Sequence, residues 1–277
     1  MHHQQARCAL FESTPLREYH QTLEAPERIV MRAAAQPINS ILPDNPETWQ
    51  GKWFLTFDLD WAADAILADT FELLTRYEIP STVLVTHQTP LLTELRSIPS
   101  IHLGIHPNFN RLLECSQDHA GNAVDVVSRL MDVVPEARCV RSHSVVQSSR
   151  IHDVFHDFGL THDLNTFIPS GSFNDVGPWL DWNGMVRVPY QWEDDVHCMF
   201  QASNQPEVEP VDLIQTMKRF SVVNFHPIHV FLNTESLERY EKTRPIHHDA
   251  AALIKERYTG YGTRNRLMDL LEKERHS

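Results

Sequence analysis

The stretch that decides the fold is Trp53-Phe54-Leu55-Thr56-Phe57-Asp58-Leu59-Asp60, followed after a helical interval by Ser81-Thr82-Val83-Leu84-Val85-Thr86. Both runs are short, apolar and rich in β-branched or aromatic residues, which suits buried strands. Between them, Ile66, Leu67, Phe71, Leu74 and Tyr77 recur at helical spacing, and Pro80 punctuates the end. A strand, a helix and a strand joined by short links form a βαβ unit, and hence a parallel pair.

Working outward, the alternation continues. Residues 101–105, 138–141, 160–164, 185–188 and 221–225 read as further strands. Helices are expected over 123–133, 148–158, 211–220, 249–258 and 264–273, with a long loop over 165–184. That makes about seven parallel strands in an α/β fold over residues 51–277, a size and alternation that suit an α/β barrel. Residues 1–50 differ in texture, with a short helix near 25–35 and then a stretch containing Pro and Asn. They read as an N-terminal extension packed on the barrel.

Composition narrows the function classes. A chain of 277 residues with 42% hydrophobic content has enough apolar material for one core of this type. A formal charge of −13 repels phosphate backbones and anionic lipid heads, so no nucleic-acid or membrane partner is expected. No window approaches the roughly 18 apolar residues of a membrane span. The first residues lack the basic and apolar regions of a signal peptide, so a cytoplasmic location is expected. Cys8, Cys115, Cys139 and Cys198 form no CxxC pair and read as free thiols.

Histidine is abundant, at 17 residues. Its placement carries the information. The first strand runs into Asp58 and Asp60, the third into His106, the fourth into Arg141 and His143, the fifth ends around Asp163, and the last runs into His226. Strand after strand delivers a titratable or metal-capable side chain at its C-terminal end, the edge where α/β folds place active sites. Each residue alone has a plainer reading: Asp60 as a helix cap, His106 as a satisfied core imidazole, Trp61 and Trp192 as loop anchors, Glu193-Asp194-Asp195 as a solvated turn. His102 falls mid-strand with no ligand partner, and His229 reads as a bystander.

Taken in order, these residues resemble the polysaccharide deacetylase family (the NodB-homology group, carbohydrate esterase family 4) over residues 53–233, closest to the subset found with O-antigen and surface-polysaccharide clusters. The family's T-F-D-D motif reads here Thr56-Phe57-Asp58-Leu59-Asp60, with Leu59 inserted. Its H-S/T-x-x-H motif reads His106-Pro107-Asn108-Phe109-Asn110, so Asn110 replaces the second His. Arg141 matches the arginine of the third motif, with His143 where Pro is usual. Val223-Asn224-Phe225-His226-Pro227 matches the closing motif, and 185–192 corresponds loosely to an aromatic wall.

The resemblance implies a distorted (β/α) barrel of the NodB type over residues 51–277, and a metal-dependent hydrolase that removes an N-acetyl or similar N-acyl group from an amino sugar, on a glycan or small-molecule substrate, in O-antigen or surface-polysaccharide biosynthesis. It implies Asp58 as base, His226 as acid and Arg141 as the residue that holds the base. Asp60, His106 and Asn110 would ligate a divalent metal, zinc first, with His143 or a water as the other way to fill the Asn110 position. His143, Trp61, Tyr190 and Trp192 would contact the substrate, with Trp179 and Trp182 further candidates. Three other readings stand beside this one. The same barrel could serve a deformylase or cyclic-imide amidohydrolase. The substitution at Asn110 could mark a metal-free sugar-binding relative. The likeness could also be that of an unrelated α/β barrel enzyme.

Overall fold

The computed structural model describes residues 36–113, 121–169, 176–203, 208–216 and 220–275. The helix expected near 25–35, and Cys8 and Cys115, lie outside the described residues. The strands are β1 (Lys52–Asp58), β2 (Ser81–Val85), β3 (Ile101–Ile105), β4 (Cys139–Val140), β5 (His162–Asp163), β6 (Trp179–Leu180), β7 (Val186–Arg187), β8 (Trp192–Glu193) and β9 (Phe220–Phe225). The α-helices are α1 (Asp64–Tyr77), α2 (Leu91–Ser97), α3 (Asn110–Leu113), α4 (Ala123–Val133), α5 (Ser149–Asp157), α6 (Asp194–Ala202), α7 (Pro210–Thr216), α8 (Pro227–Leu232), α9 (Leu237–Thr243), α10 (Ala250–Leu253) and α11 (Thr263–Arg275).

All nine strands join one curled sheet, a half-barrel in the order β6-β7-β5-β4-β3-β2-β1-β9-β8. Every neighbouring pair is parallel except β6 with β7. The expectation of about seven strands therefore becomes nine among the described residues. The additions are two-residue pairings, too short to show a period. One lies inside the stretch read as loop, and the other begins at the last residue of the stretch matched loosely to an aromatic wall.

Alternation along the long strands divides the molecule. Trp53, Leu55 and Phe57 of β1, with Val83, Val85, Val223 and Phe225, join the larger core together with the helices. The opposite face carries Phe54, Leu84, Phe220 and Val222, in a second cluster with Ile38, Ile41 and Trp49. Residues at i and i+2 share a face. Along that second face β1 therefore reads Phe54, Thr56, Asp58, and β9 reads Phe220, Val222, Asn224, leading to His226. It is apolar where the strands begin and polar where they end. Ile38 and Ile41 are fully buried, and the Ile38 amide donates to Thr82 Oγ1 at 3.2 Å. The described part of the N-terminal segment thus closes the apolar end, and the polar end is left for chemistry. Gly104 lets β3 lie close in, because a Cβ there would stand 2.6 Å from both the Cys139 carbonyl oxygen and Leu84 Cδ2.

Candidate active site

Asp58 ends β1 and is buried. Arg141 Nη1 donates to its two oxygens at 3.0 and 3.1 Å, and Asn224 Nδ2 donates to Oδ2 at 3.0 Å. Charge-assisted pairs of this kind fix orientation as well as proximity. Arg141 is itself buried, donates to Thr56 Oγ1 at 3.1 Å, and lies 4.3 Å above the Tyr190 ring centroid. Asn224 also donates to Glu193 Oε1 at 2.8 Å, and the Tyr190 hydroxyl donates to Glu193 Oε2 at 3.2 Å. Burial, then the charge of Asp195, pushes the Glu193 carboxyl up to about 8.

After Asp58 the chain turns sharply. Leu59 is wholly buried, and its amide donates to the Leu84 carbonyl at 3.2 Å. Asp60 and Trp61 take φ of 42° and 54°, left-handed values that are costly for residues other than glycine. Thr86 Oγ1 accepts from the Trp61 amide at 3.1 Å and helps to hold the turn. The inserted Leu59 is thus an anchor that sends Asp60 back over the site. Asp60 does not cap α1, whose N-cap is Ala63.

Asp60, His106 and His143 form a group whose ligand-capable atoms lie within 4.8 Å of one another. Asp60 Oδ1 faces His106 Nε2 at 3.1 Å and His143 Nδ1 at 3.2 Å. Burial favours the neutral form of Asp60, but the two imidazoles and the charge of His226 hold its carboxyl well below the usual range. His106 is buried, and among the described residues neither of its ring nitrogens has a hydrogen-bond partner. Its approach to Asp60 is close but off the line of an N–H···O bond. A buried imidazole left unsatisfied costs free energy. Two imidazoles and a carboxylate match the donor set of hydrolytic zinc sites. These residues therefore fit a divalent metal.

The substrate and ligand expectations divide here. Asn110 begins α3 and donates its side-chain amide to Ser144 Oγ at 3.1 Å, bracing the turn that carries His143. His143, expected at the substrate, instead joins Asp60 and His106. In that turn Ser144 and Val145 also take left-handed φ, 57° and 54°. Tyr190 and Trp192, expected as substrate contacts, are both buried. Tyr190 is 0% exposed beneath Arg141, and Trp192 is buried with its ring 4.9 Å from Phe225 and its Nε1 donating to the Val208 carbonyl. Trp61, 46% exposed, keeps an open indole face beside His143, at 5.2 Å between centroids.

His226 follows β9 and is buried. Its Nδ1 donates to Asp194 Oδ1 at 2.7 Å, and its backbone amide donates to Asp194 Oδ2 at 2.8 Å. Burial pulls the imidazole down, but the charge and hydrogen bond of Asp194, aided by Asp60 and Asp195, raise it well above its ordinary value. Its Nε2 lies 3.7 Å from Asp60 Oδ2 and 4.0 Å from Asp58 Oδ2. Glu193 and Asp194 are buried, not a solvated turn: β8 runs beside β9, and α6 begins at Asp194, so both carboxyls turn inward. His229 is likewise buried, 5.8 Å from His226 between ring centroids, with Nδ1 on Thr234 Oγ1. Asp163 is spent elsewhere: it accepts from Asn165 and faces His152 Nε2 at 3.0 Å and Arg187 Nη1 at 3.3 Å.

A profile of the WbmS-like polysaccharide deacetylase family matches residues 55–244. The chain belongs to the WbmS-like polysaccharide deacetylases. Their activity makes it a hydrolase of linear amide bonds. The crystal structure of a polysaccharide deacetylase involved in O-antigen biosynthesis (WbmS) from Bordetella bronchiseptica is 39% identical to this WbmS-like chain. That match has a TM-score of 0.81 and covers 88% of this chain and 99% of the other. A polysaccharide deacetylase from Mycobacterium smegmatis is 15% identical, with a TM-score of 0.44, over 81% of this chain and 90% of the other. A 4-alpha-glucanotransferase from Thermococcus litoralis is 10% identical, with a TM-score of 0.45, over 75% and 38%. Neither of these two bears on function. A search of curated proteins found no match. Among the described residues, no helix is long and apolar enough to cross a membrane.

Proposed function

We propose that this protein hydrolyses the N-acyl group, acetyl first, of an amino sugar destined for an O-antigen-type surface polysaccharide. We further propose that it does so with a divalent metal, zinc first, held by Asp60, His106 and His143. The observation that carries the reading is the convergence of Asp58, the Asp60–His106–His143 group and His226 at one end of the sheet, with His226 Nε2 within 4.0 Å of Asp58. The Bordetella neighbour, similar over nearly its whole length, supports the O-antigen context.

The chemistry a zinc ion supplies in such a donor set is Lewis-acid polarisation of the acyl carbonyl. Asp58 takes the proton of the attacking water, its carboxylate aimed by Arg141 and Asn224. His226, cationic through Asp194, gives a proton to the leaving nitrogen. Having a carboxylate base and an imidazolium acid at one centre lets both proton transfers occur without rearrangement. The direct test is product detection on N-acetylated and N-formylated amino sugars with wild type, Asp58→Asn and His226→Ala. A loss of about 10²–10⁴-fold in kcat for either variant supports the assignment. Unchanged turnover in Asp58→Asn overturns the role of the base.

A further inference from the structure

A cavity of about 650 Å³ opens beside the site, sharing His106 and Trp61 with it. Its floor is apolar, made by Val126, Leu130 and Val133 of α4. Two arginines line it, Arg111 from α3 and Arg129 from α4. Neither has an acidic partner among the described residues, and the proposed chemistry uses neither. For Arg129 this is unexpected. Asp125 lies four residues earlier on the same helix, the spacing of a helical ion pair. The Asp125 carboxylate is turned away instead and accepts from the Asn122 amide at 2.9 Å, closing a capping box at the helix start. His87, which also lines the cavity, is pulled below its ordinary pKa by burial and adds no fixed charge.

Two arginines without an acidic partner among the described residues line one cavity, in a chain of net charge −13. Packing does not require them, since both side chains are exposed. A guanidinium is a planar fork of donors that matches carboxylate and phosphate oxygens. An apolar floor, an indole at the rim and two such forks together suit a sugar ring that bears a negative charge. We propose that this cavity receives an anionic group of the substrate sugar, carboxylate or phosphate, held by Arg111 and Arg129 while the N-acyl group reaches His106 and its neighbours. This rests on the deacetylase reading and narrows it to acidic or phosphorylated amino sugars.

The test uses the full chain loaded with zinc and three probes sharing one ring: N-acetylgalactosamine, N-acetylgalactosaminuronic acid and UDP-N-acetylgalactosamine. Binding is measured by calorimetry for wild type and for Arg111→Gln/Arg129→Gln, at about 50 and 500 mM salt. The expected result is about tenfold tighter binding of one anionic probe over the neutral sugar, a gap that shrinks at high salt and falls to about twofold in the double variant. A preference for the uronic acid assigns a ring carboxylate. A preference for the nucleotide sugar assigns a diphosphate. Equal binding of all three probes, no binding of any, or a preference that survives in the double variant overturns the proposal. Hydrolysis of the same probes separates the two readings. Turnover without an anion preference removes the cavity assignment alone, whereas an anion preference with no hydrolysis of any acylated sugar removes the deacetylase reading.

Discussion

The behaviour of His226 depends on one carboxylate. Asp194 accepts both its Nδ1–H and its backbone N–H, so it sets ring orientation and charge together. Asp194→Asn is expected to lower kcat by about 10²–10⁴-fold while KM changes little, because the lost element is the acid rather than a substrate contact. Steady-state kinetics on any turned-over amino sugar checks this, and a rise in KM with kcat preserved would count against it. Glu193 gives a stability prediction with a definite sign. Its carboxyl titrates at about 8 when folded, against 4.5 for the free group. Between those values the folded chain holds a proton that the unfolded chain has lost, so stability falls as pH rises through that window and levels off above it. Glu193→Gln keeps the neutral shape and removes the cost. Its Tm should match wild type at about pH 4.5 and exceed it by several degrees near pH 8.5. A calorimetric Tm difference that stays flat across that range would contradict the assignment.

At this scale the sequence was legible wherever chemistry sits at a strand end. Asp58, Asp60, His106, Arg141 and His226 all follow apolar runs, and all meet in the site. What stayed hidden has physical reasons. Glu193 and Asp194 sit in an acidic run whose ordinary fate is solvation, and only the pairing of β8 with β9 turns them inward. His143 comes from a turn whose left-handed residues have no sequence signature, since Ser144 and Val145 are neither Gly nor Asn.

Among the elements, the turn after β1 matters most. Leu59 is the residue inserted between the two aspartates, and its buried side chain holds a backbone bend that Asp60 and Trp61 would not adopt unaided. Leu59→Ala is expected to cost about 2–5 kcal/mol, as large-to-small core changes do, and to loosen metal binding as well. Denaturant unfolding with parallel metal titration checks both. A full loss of stability with metal affinity untouched would mean that the anchor serves the core alone. The long, strongly patterned elements β1, α1, β2, β3 and β9 were readable from period and residue type. The two-residue strands β6 and β8 were not, because their pairing is dictated by neighbours in space rather than by local preference.

The whole molecule divides its half-barrel into an apolar end and a reactive end. Ile38, Ile41 and Trp49 occupy the first with Phe54, Phe220 and Val222, so the described part of the N-terminal segment belongs to the core. Ile41→Ala should cost about 2–5 kcal/mol, because Ile41 is fully buried in the second cluster. An unfolding midpoint unchanged by that substitution would show the segment to be dispensable. The reactive end is where the sequence departs from its family, at Asn110. The geometry answers that departure with His143, which brings a second imidazole to Asp60 while Asn110 braces the turn beneath it. The most direct test of the account is metal content per chain, measured on untagged protein for wild type, His143→Ala and Asn110→Ala. The account predicts about one transition metal in wild type and in Asn110→Ala, and its loss in His143→Ala. Metal kept in His143→Ala, or absent from wild type after reconstitution, would contradict it.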